Sequence, residues 1–340
     1  METTTITRLL LLSICVSIFL TQSLSALTIG ITPLENQRLT KQNDWFGFYV
    51  SERIRANLAG QKKVQLLSRD ALFYWSRNGK PPVPKAKILI TGEFQLVFNQ
   101  AFISLQIRTE GNNKLGREEI NVPLDQFEAK LDDLIQNILL EQDDLFTPSK
   151  INFPMLAKPL HKKVIEIFSN SYLASNDPQT LLKLLPEVQK AKDVKLSEIF
   201  TQAMLVASSD LKGNNNKYFQ KLEAFVQKSL RADPKNGRLL ALLAEIFASS
   251  GSYPSWIEET AFKGIKANPQ DELAWLMLAF GKGLQTGGAR EALLKVDKLN
   301  PYIWPEEGDK YFFRKGEMGK KIKAAYLDLN KVKNPKVKLE

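Results

Sequence analysis

Residues 233–248 (DPKNGRLLALLAEIFA) and residues 268–281 (NPQDELAWLMLAFG) decide how the second half of this 340-residue chain folds. Each stretch begins with Asp or Asn before a proline and continues into an apolar segment of helical character. A third such proline follows, so that Pro234, Pro269 and Pro301 lie 35 and 32 residues apart. A period of this length is typical of helix-turn-helix units that stack on one another. The pattern therefore predicts helical hairpins, an architecture suited to binding other proteins.

The large apolar residues that follow these prolines carry a family resemblance. The matching positions are Leu240, Leu243, Ala244 and Phe247 in the first unit, and Trp275, Leu278 and Ala279 in the second. Their spacing resembles the W-x2-L-G-x2-Y opening of the tetratricopeptide repeat. The resemblance implies an all-α array of such repeats over residues 159–307, followed by a capping helix and a basic tail over residues 308–340.

The same resemblance implies where a partner would bind. In tetratricopeptide repeats, residues near the second, fifth and ninth positions of the first helix line a groove between stacked units. Counted in this way, the repeats place four residues at the groove: Arg238, Glu245, Leu276 and Phe280. We expect these four residues to contact partner proteins.

Residues 27–147 alternate strand and helix patterns instead. Leu27, Ile29 and Ile31 alternate with small or polar residues, which is the period of a strand. The further predicted strands cover residues 64–67, 88–98, 102–108 and 117–122, and the two predicted helices start near residues 44 and 125. This order predicts a small α/β layer domain with an antiparallel meander. The fold class is therefore an α+β domain followed by an all-α array, with a linker over residues 148–158.

Four segments of this first domain resemble a known family. They are the opening strand over residues 29–36 (IGITPLEN), the helix from Trp45, the strand over residues 64–68, and the hairpin from Ile90 to Ile107. Together they resemble the amino-terminal domain of the Tol-Pal periplasmic protein TolB and its relatives. Those relatives include accessory proteins of flagella and of envelope assembly. The resemblance implies a role in flagellar or cell-envelope assembly.

The amino terminus has the pattern of a signal peptide. Arg8 precedes a 12-residue apolar run over residues 9–20, which is short for a membrane span, and small or polar residues follow it. We expect cleavage after Ala26, with Ser25 as the alternative position, and export to a bacterial periplasm; an uncleaved inner-membrane anchor is the alternative. Cys15 is the only cysteine and would leave with residues 1–26, so the mature chain would contain no disulfide or thiolate ligand.

The charge of the chain limits its partners. The formal net charge is +10, and residues 308–340 hold 10 Lys and Arg against 4 acidic residues. A basic tail of this kind can contact anionic lipid head groups, or it can be a solvated helix face. Export argues against a nucleic-acid partner. The expected partners are other envelope proteins; the alternative is that this chain is itself a membrane-anchored, surface-binding protein.

Few residues offer catalytic or metal chemistry. His161 is the only histidine, and its place beside the linker predicts an exposed side chain. The sequence lacks the metal-ligand, nucleophile-elbow and phosphate-loop motifs. The paired carboxylates Asp132–Asp133 and Asp143–Asp144 are expected to be solvated. We therefore expect a non-enzymatic adaptor or scaffold without a catalytic residue, metal or cofactor; an envelope hydrolase with carboxylate catalysis is the alternative.

Overall fold

The computed structural model describes residues 27–38, 43–59, 64–67, 86–109, 114–140, 158–173, 177–208, 211, 215–283 and 287–299, with two isolated later positions. In this part of the chain, a six-stranded mixed sheet with two helices is followed by eight further helices. This confirms the predicted order of an α+β half and a helical half. The predicted signal peptide lies outside the described residues, and so do the predicted capping helix and basic tail apart from those two positions.

The sheet combines parallel and antiparallel pairing. Its strands are β1 (Leu27–Ile31), β2 (Glu35–Asn36), β3 (Val64–Leu66), β4 (Ile88–Val97), β5 (Gln100–Thr109) and β6 (Lys114–Pro123). They lie in the order β3-β1-β4-β5-β6, and β2 pairs with β4. β1 runs parallel to β3 and β4, whereas β4, β5 and β6 form the predicted antiparallel meander. Only the short β2 was absent from the prediction.

One face of the meander is buried because the pleat sends alternate side chains to it. Phe94, Ile103 and Ile120 lie side by side across β4, β5 and β6, and all three are buried. The opposite face carries polar groups, and Arg117 there donates to the Ser104 hydroxyl at 3.0 Å. The alternation is the one expected of an antiparallel sheet that is covered on one side.

Two helices cover the buried face: α1 (Asp44–Leu58) and α2 (Phe127–Leu140). The Phe46 ring of α1 lies 5.4 Å from the Phe94 ring and 5.0 Å from the Phe127 ring of α2. Gly47 lets the chain after β1 approach α1, because a Cβ there would lie 2.1 Å from the Leu34 carbonyl oxygen. The aromatic cluster fixes α1 at the centre of this half.

The second half is made of stacked helices. They are α3 (Pro159–Leu173), α4 (Pro178–Ala191), α5 (Val194–Ser208), α6 (Asn216–Ala232), α7 (Gly237–Ser250), α8 (Pro254–Ala267), α9 (Glu272–Gly281) and α10 (Gly287–Leu299). α5, α7 and α9 contact one another in succession, and we call them the inner row. α6 packs against α5 and α7, α8 packs against α7 and α9, and α10 packs against α9. α6, α8 and α10 thus form a second layer.

Pro234 and Pro269 lie in two equivalent turns, whereas Pro301 lies outside the described residues. Asp233 ends α6, and the Asn236 N–H donates to the Asp233 carbonyl at 3.2 Å. Asn268 ends α8 in the same way, and the Asp271 N–H donates to its carbonyl at 3.2 Å. The proline after each Asp or Asn has no N–H to continue the helix. The turns therefore recur 35 residues apart because the same residue types stop one helix and begin the next.

The two halves meet where α3 packs against both α1 and α5. The buried apolar side chains form one continuous cluster that runs from the sheet through α1 and α3 to α10. The domain boundary predicted over residues 148–158 falls between α2 and α3, at residues that are almost all outside the described part of the chain. The predicted linker implies that the two halves fold independently, and this stays a prediction.

Candidate functional site

The inner-row helices all begin with a side chain that caps their backbone. Asp193 accepts a hydrogen bond from the Leu196 N–H of α5 at 3.0 Å. Asn236 accepts one from the Leu239 N–H of α7 at 2.9 Å. Asp271 caps α9 through the N–H groups of its second and third residues, at 3.0 and 3.3 Å. Such caps satisfy donors that have no partner inside the helix.

Polar side chains tie these helix starts together. Asn236 donates to Glu198 of α5 at 2.8 Å. Arg238 at the start of α7 donates to Gln202 of α5 and to Asp271 of α9, each at 3.1 Å. Because Arg238 spans both neighbours, its guanidinium connects three consecutive helices of the inner row. We call this set of side chains, with the three caps, the capped edge.

A cavity of about 260 Å³ separates the capped edge from the α/β half. Its walls carry charged side chains of both signs. The charged residues that line it are Glu52 and Arg55 of α1, Lys195 of α5, Arg238 of α7, and Asp271 and Glu272 of the α9 start. Junctions between two packed halves are a common place for ligand sites. We take this junction cavity as the candidate functional site.

The α1 wall of the junction cavity is held by backbone and ionic contacts. Arg55 donates to the Leu67 carbonyl at 2.8 Å, which joins α1 to the end of β3. Its Nε lies 3.7 Å from a carboxylate oxygen of Glu52, and that carboxylate side chain is only 5% exposed. On the opposite wall, Lys195 pairs with Glu198 at 2.5 Å. The cavity thus presents paired charges and amides that can hydrogen-bond a polar or charged segment of a partner.

The four residues predicted to contact partners do not come together. Arg238 lines the junction cavity, but its guanidinium is committed to Gln202 and Asp271. Leu276 is fully buried and Glu245 is 1% exposed, so neither side chain reaches the surface. Phe280, in the last turn of α9, is partly buried. The groove positions inferred for Glu245 and Leu276 are therefore corrected.

The burial of α9 explains why the assignment of Leu276 was wrong. This ten-residue helix is apolar on nearly all sides and lies between α7, α8 and α10. A helix without a polar face is buried rather than offered to a partner. α7 is enclosed in the same way by α5, α6, α8 and α9, which accounts for the burial of Glu245.

His161 is also placed differently from the prediction. Its side chain is 6% exposed, and Nε2 lies 3.5 Å from a carboxylate oxygen of Asp193, the cap of α5. The proline-rich neighbourhood indicated an exposed position, but α3 begins at Pro159 and turns His161 toward α5. This histidine joins two helices of the second half.

Asp132 is not a solvated carboxylate either. It accepts hydrogen bonds from Arg53 and from Asn57, the latter at 3.0 Å, and so ties α2 to α1. Burial lowers the pKa of Arg53, but its hydrogen bond to Asp132 and the nearby charges outweigh this, so the net shift is upward. Asp143 and Asp144 lie outside the described residues. Asp132 therefore stabilises helix packing here.

Beside this pair, the Tyr49 hydroxyl donates to Glu128 of α2 and accepts from Arg53 at 3.4 Å. Burial raises the pKa of Tyr49 well above its ordinary value, and the charges of Arg53 and Glu128 modify it in opposite directions. The cluster holds α1 and α2 together inside the first half.

Comparison with protein-family models found no match, and comparison with curated proteins found no similar sequence. Within the part of the chain that the structure describes, no group of three or more His, Cys, Asp or Glu side chains could hold a metal ion. No helix among those residues is both long and apolar enough to cross a membrane.

Sequence reasoning missed most of the capped edge. Asn236 and Asp271 each follow their Asp or Asn–Pro pair at the same short distance, a spacing that signals a helix cap. That signal could have assigned both residues to capping. Arg55 and Gln202 carry no such signal, because only helix packing brings Arg55 to the junction cavity and Gln202 to Arg238.

Proposed function

We propose that this chain is a non-enzymatic adaptor or scaffold that binds partner proteins through its helical hairpins. We interpret the hairpins as tetratricopeptide-like repeats and the α/β half as TolB-like, with a role in flagellar or cell-envelope assembly and a periplasmic location. The observation that carries the proposal is the repetition of α7–α8 by α9–α10, with equivalent turns and caps 35 residues apart. Arrays of this kind offer extended binding surfaces because each unit packs only on its neighbours.

The junction cavity is where we place the first contact with a partner. It lies at the capped edge of the array and is lined by residues from both halves. Its mixed charges suit a polar segment that carries both signs, since complementary charges across an interface fix the register of binding. A segment bound there would contact α1 and the inner row together.

Affinity isolation from cross-linked envelopes, with a matched pair of variants, tests whether partners bind at the junction cavity. Gln270 is exposed and lines the junction cavity, whereas Gln179 is exposed on α4, away from it. Gln270→Arg should reduce recovery of a co-purifying protein about tenfold, since it adds bulk and charge to the cavity. Gln179→Arg adds the same group elsewhere and should leave recovery at the parent level.

Equal recovery with both variants would show that partner binding does not use the junction cavity. Absence of any specific co-purifying protein with the parent chain would contradict the adaptor function itself. The periplasmic location has its own test, since intact mass of the exported protein should correspond to a chain that begins at Leu27. A mass that includes residues 1–26, recovered with membranes, would support the uncleaved anchor instead.

A further inference from the structure

One outward face of α6 carries only basic and small side chains. Lys217, Lys221, Ala224, Lys228 and Arg231 alternate at spacings of four and three residues, which places them in a single line along the helix. All five are exposed. The line extends about 21 Å at the rise of an α-helix. We call the four cations of this line the basic stripe.

The basic stripe is directed away from the rest of the molecule. The buried residues of α6 are Tyr218, Phe219, Leu222, Phe225 and Val226, and they occupy the opposite side of the helix. Lys235, in the turn after α6, is also exposed and adds a further cation beside the end of the stripe. The stripe is therefore a solvent-facing surface of the second layer.

None of the four cations has an internal partner among the described residues. The carboxylate of Glu223 lies off this line and accepts from Gln227 at 2.9 Å. Asp233, after the helix, accepts from Asn236 at 3.2 Å. Other helices behave differently, because Lys263 of α8 pairs with Glu259 and Lys162 of α3 pairs with Glu166. α6 differs from α3 and α8 in leaving four cations in one line without a carboxylate among the described residues.

This arrangement does not stabilise the fold. Like charges at spacings of three and four residues repel each other along a helix surface. Lys217 with Lys221 and Lys228 with Arg231 are two such pairs. A row of unpartnered cations attracts a surface of opposite charge.

Exposed aromatic side chains on the neighbouring outer helix favour a lipid surface over an acidic protein. Tyr253, Trp256 and Phe262, at the start of α8 and along it, are 70%, 52% and 49% exposed. Aromatic rings with polar tips, together with Lys and Arg, are typical of the boundary between water and lipid head groups. Both features belong to the second layer of helices.

We propose that the basic stripe of α6 binds the surface of an anionic phospholipid bilayer. The head-group phosphates neutralise the four cations without insertion of the helix, and the second layer then faces the membrane. The capped edge and the junction cavity then remain open to partner proteins. The proposal stands on the outer helices α6 and α8 and does not depend on how partners bind.

Vesicle binding by the full chain tests this with two triple variants. The stripe variant is Lys217→Gln, Lys221→Gln and Lys228→Gln. The control variant, Lys183→Gln, Lys190→Gln and Lys298→Gln, removes three exposed cations from α4 and α10. Vesicles of one-third phosphatidylglycerol and two-thirds phosphatidylcholine are compared with pure phosphatidylcholine. Subtracting binding to the neutral vesicles removes any contribution from the apolar segment over residues 9–20.

We expect the charge-dependent binding of the stripe variant to fall about fivefold for each cation removed, hence roughly a hundredfold. The control variant should lose much less, and the binding of the parent should weaken steeply with salt. Unchanged melting temperatures would show that both variants are folded. Equal loss in the two variants, or parent-like binding by the stripe variant, would overturn the proposal. So would binding to polyglutamate or a DNA duplex without binding to anionic vesicles.

Discussion

The Phe48 ring of α1 meets the Phe168 ring of α3 edge to face, with centroids 5.1 Å apart and planes inclined at 75°. Both side chains are almost completely buried, at 2% and 1% exposure. Nearby, the Lys162 ammonium of α3 lies 5.3 Å from the centre of the Trp45 ring. The first helix of the second half is therefore packed into the core of the first half.

The Phe48–Phe168 contact joins the two halves, so we expect its removal to lower the stability of both halves together. Phe168→Ala should lower the free energy of unfolding by about 3–5 kcal/mol, because it leaves a cavity between α1 and α3. Denaturant unfolding followed by circular dichroism measures the change. Phe262→Ala, at a position 49% exposed on α8, is the control and should change the value by less than about 0.5 kcal/mol. Equal effects from both variants would mean that the interhelical contact is absent in solution.

The Phe48–Phe168 contact adds a measurable consequence to the prediction that residues 27–147 and 159–340 fold separately. If each half folds alone, it must expose Phe48 or Phe168 to water. We expect both halves to show native-like circular dichroism but to melt below the full chain and to bind a hydrophobic dye. A half that is unfolded by itself, yet ordered in the full chain, would show that the two halves share one obligatory core.

Local patterns predicted the elements because short-range physics decides them. The alternation around Ile29, the amphipathic segment around Phe46 and the turns at Asp233–Pro234 and Asn268–Pro269 all fix structure within a few residues. The structure confirms the strands, helices and turns at those places.

The candidate site was harder to predict because burial depends on the whole array. Leu276 looked available on a helical wheel, but three helices enclose α9. Arg238 was selected as a partner contact, yet its donors reach residues 36 and 33 positions away in the chain. Such distant pairings leave no periodic trace in a single sequence.

Close packing at Gly264 predicts the cost of a larger side chain. A Cβ at this position would lie 3.3 Å from the Gly237 carbonyl oxygen and 3.4 Å from the Ala241 nitrogen. The absence of a side chain at Gly264 therefore lets α8 approach α7. Gly264→Leu should destabilise the helical half by about 1–3 kcal/mol. Thermal melts measure this loss of stability. Ala267→Leu, at an exposed position of α8, is the control and should melt like the parent.

Trp275 in α9 should tolerate truncation better than a fully buried tryptophan. The ring is only partly buried, and its Nε1 donates to the Pro269 carbonyl at 2.9 Å. We expect Trp275→Ala to cost less than the roughly 3–5 kcal/mol typical of buried aromatic truncations. It should still cost more than Phe280→Ala in a thermal melt. The reverse order would contradict the assigned repeat register.

The buried hydroxyl of Tyr218 leads us to expect that the free energy of unfolding falls at alkaline pH. Its hydroxyl is buried and donates to the Met204 carbonyl at 2.8 Å, and burial raises its pKa above the ordinary value. Above about pH 10, the unfolded tyrosine loses its proton while the folded one keeps it. The unfolded state then binds fewer protons, so the free energy of unfolding falls by up to about 1.4 kcal/mol per pH unit.

Tyr218→Phe removes this contribution, so its unfolding free energy should fall less steeply above pH 10 than that of the parent. Denaturant unfolding at several pH values gives the two slopes. Tyr253→Phe, at a position 70% exposed, should keep the parental slope. If all three proteins share one slope, the Tyr218 hydroxyl is not held in a buried site.

The ion pair between Arg238 and Asp271 joins α7 to α9. We therefore expect the effects of mutating these two residues on stability to depend on each other. The guanidinium donates to Asp271 at 3.1 Å, and the Asp271 side chain is only 5% exposed. Arg238→Ala should therefore cost about 1–3 kcal/mol, because it leaves a buried carboxylate without its cation. Asp271→Asn removes the charge and keeps an oxygen that can cap α9.

A double-mutant cycle separates the ion pair from the cap. We expect a coupling energy of about 0.5–3 kcal/mol between Arg238→Ala and Asp271→Asn in denaturant unfolding. Arg238→Lys should recover only part of the loss, since one ammonium cannot serve Gln202 and Asp271 with the same geometry as a guanidinium fork. Because Arg238→Ala also removes a wall of the junction cavity, partner recovery must be compared at equal folded fraction. Additive effects would show that Arg238 is available for a partner, as its place in the repeat first indicated.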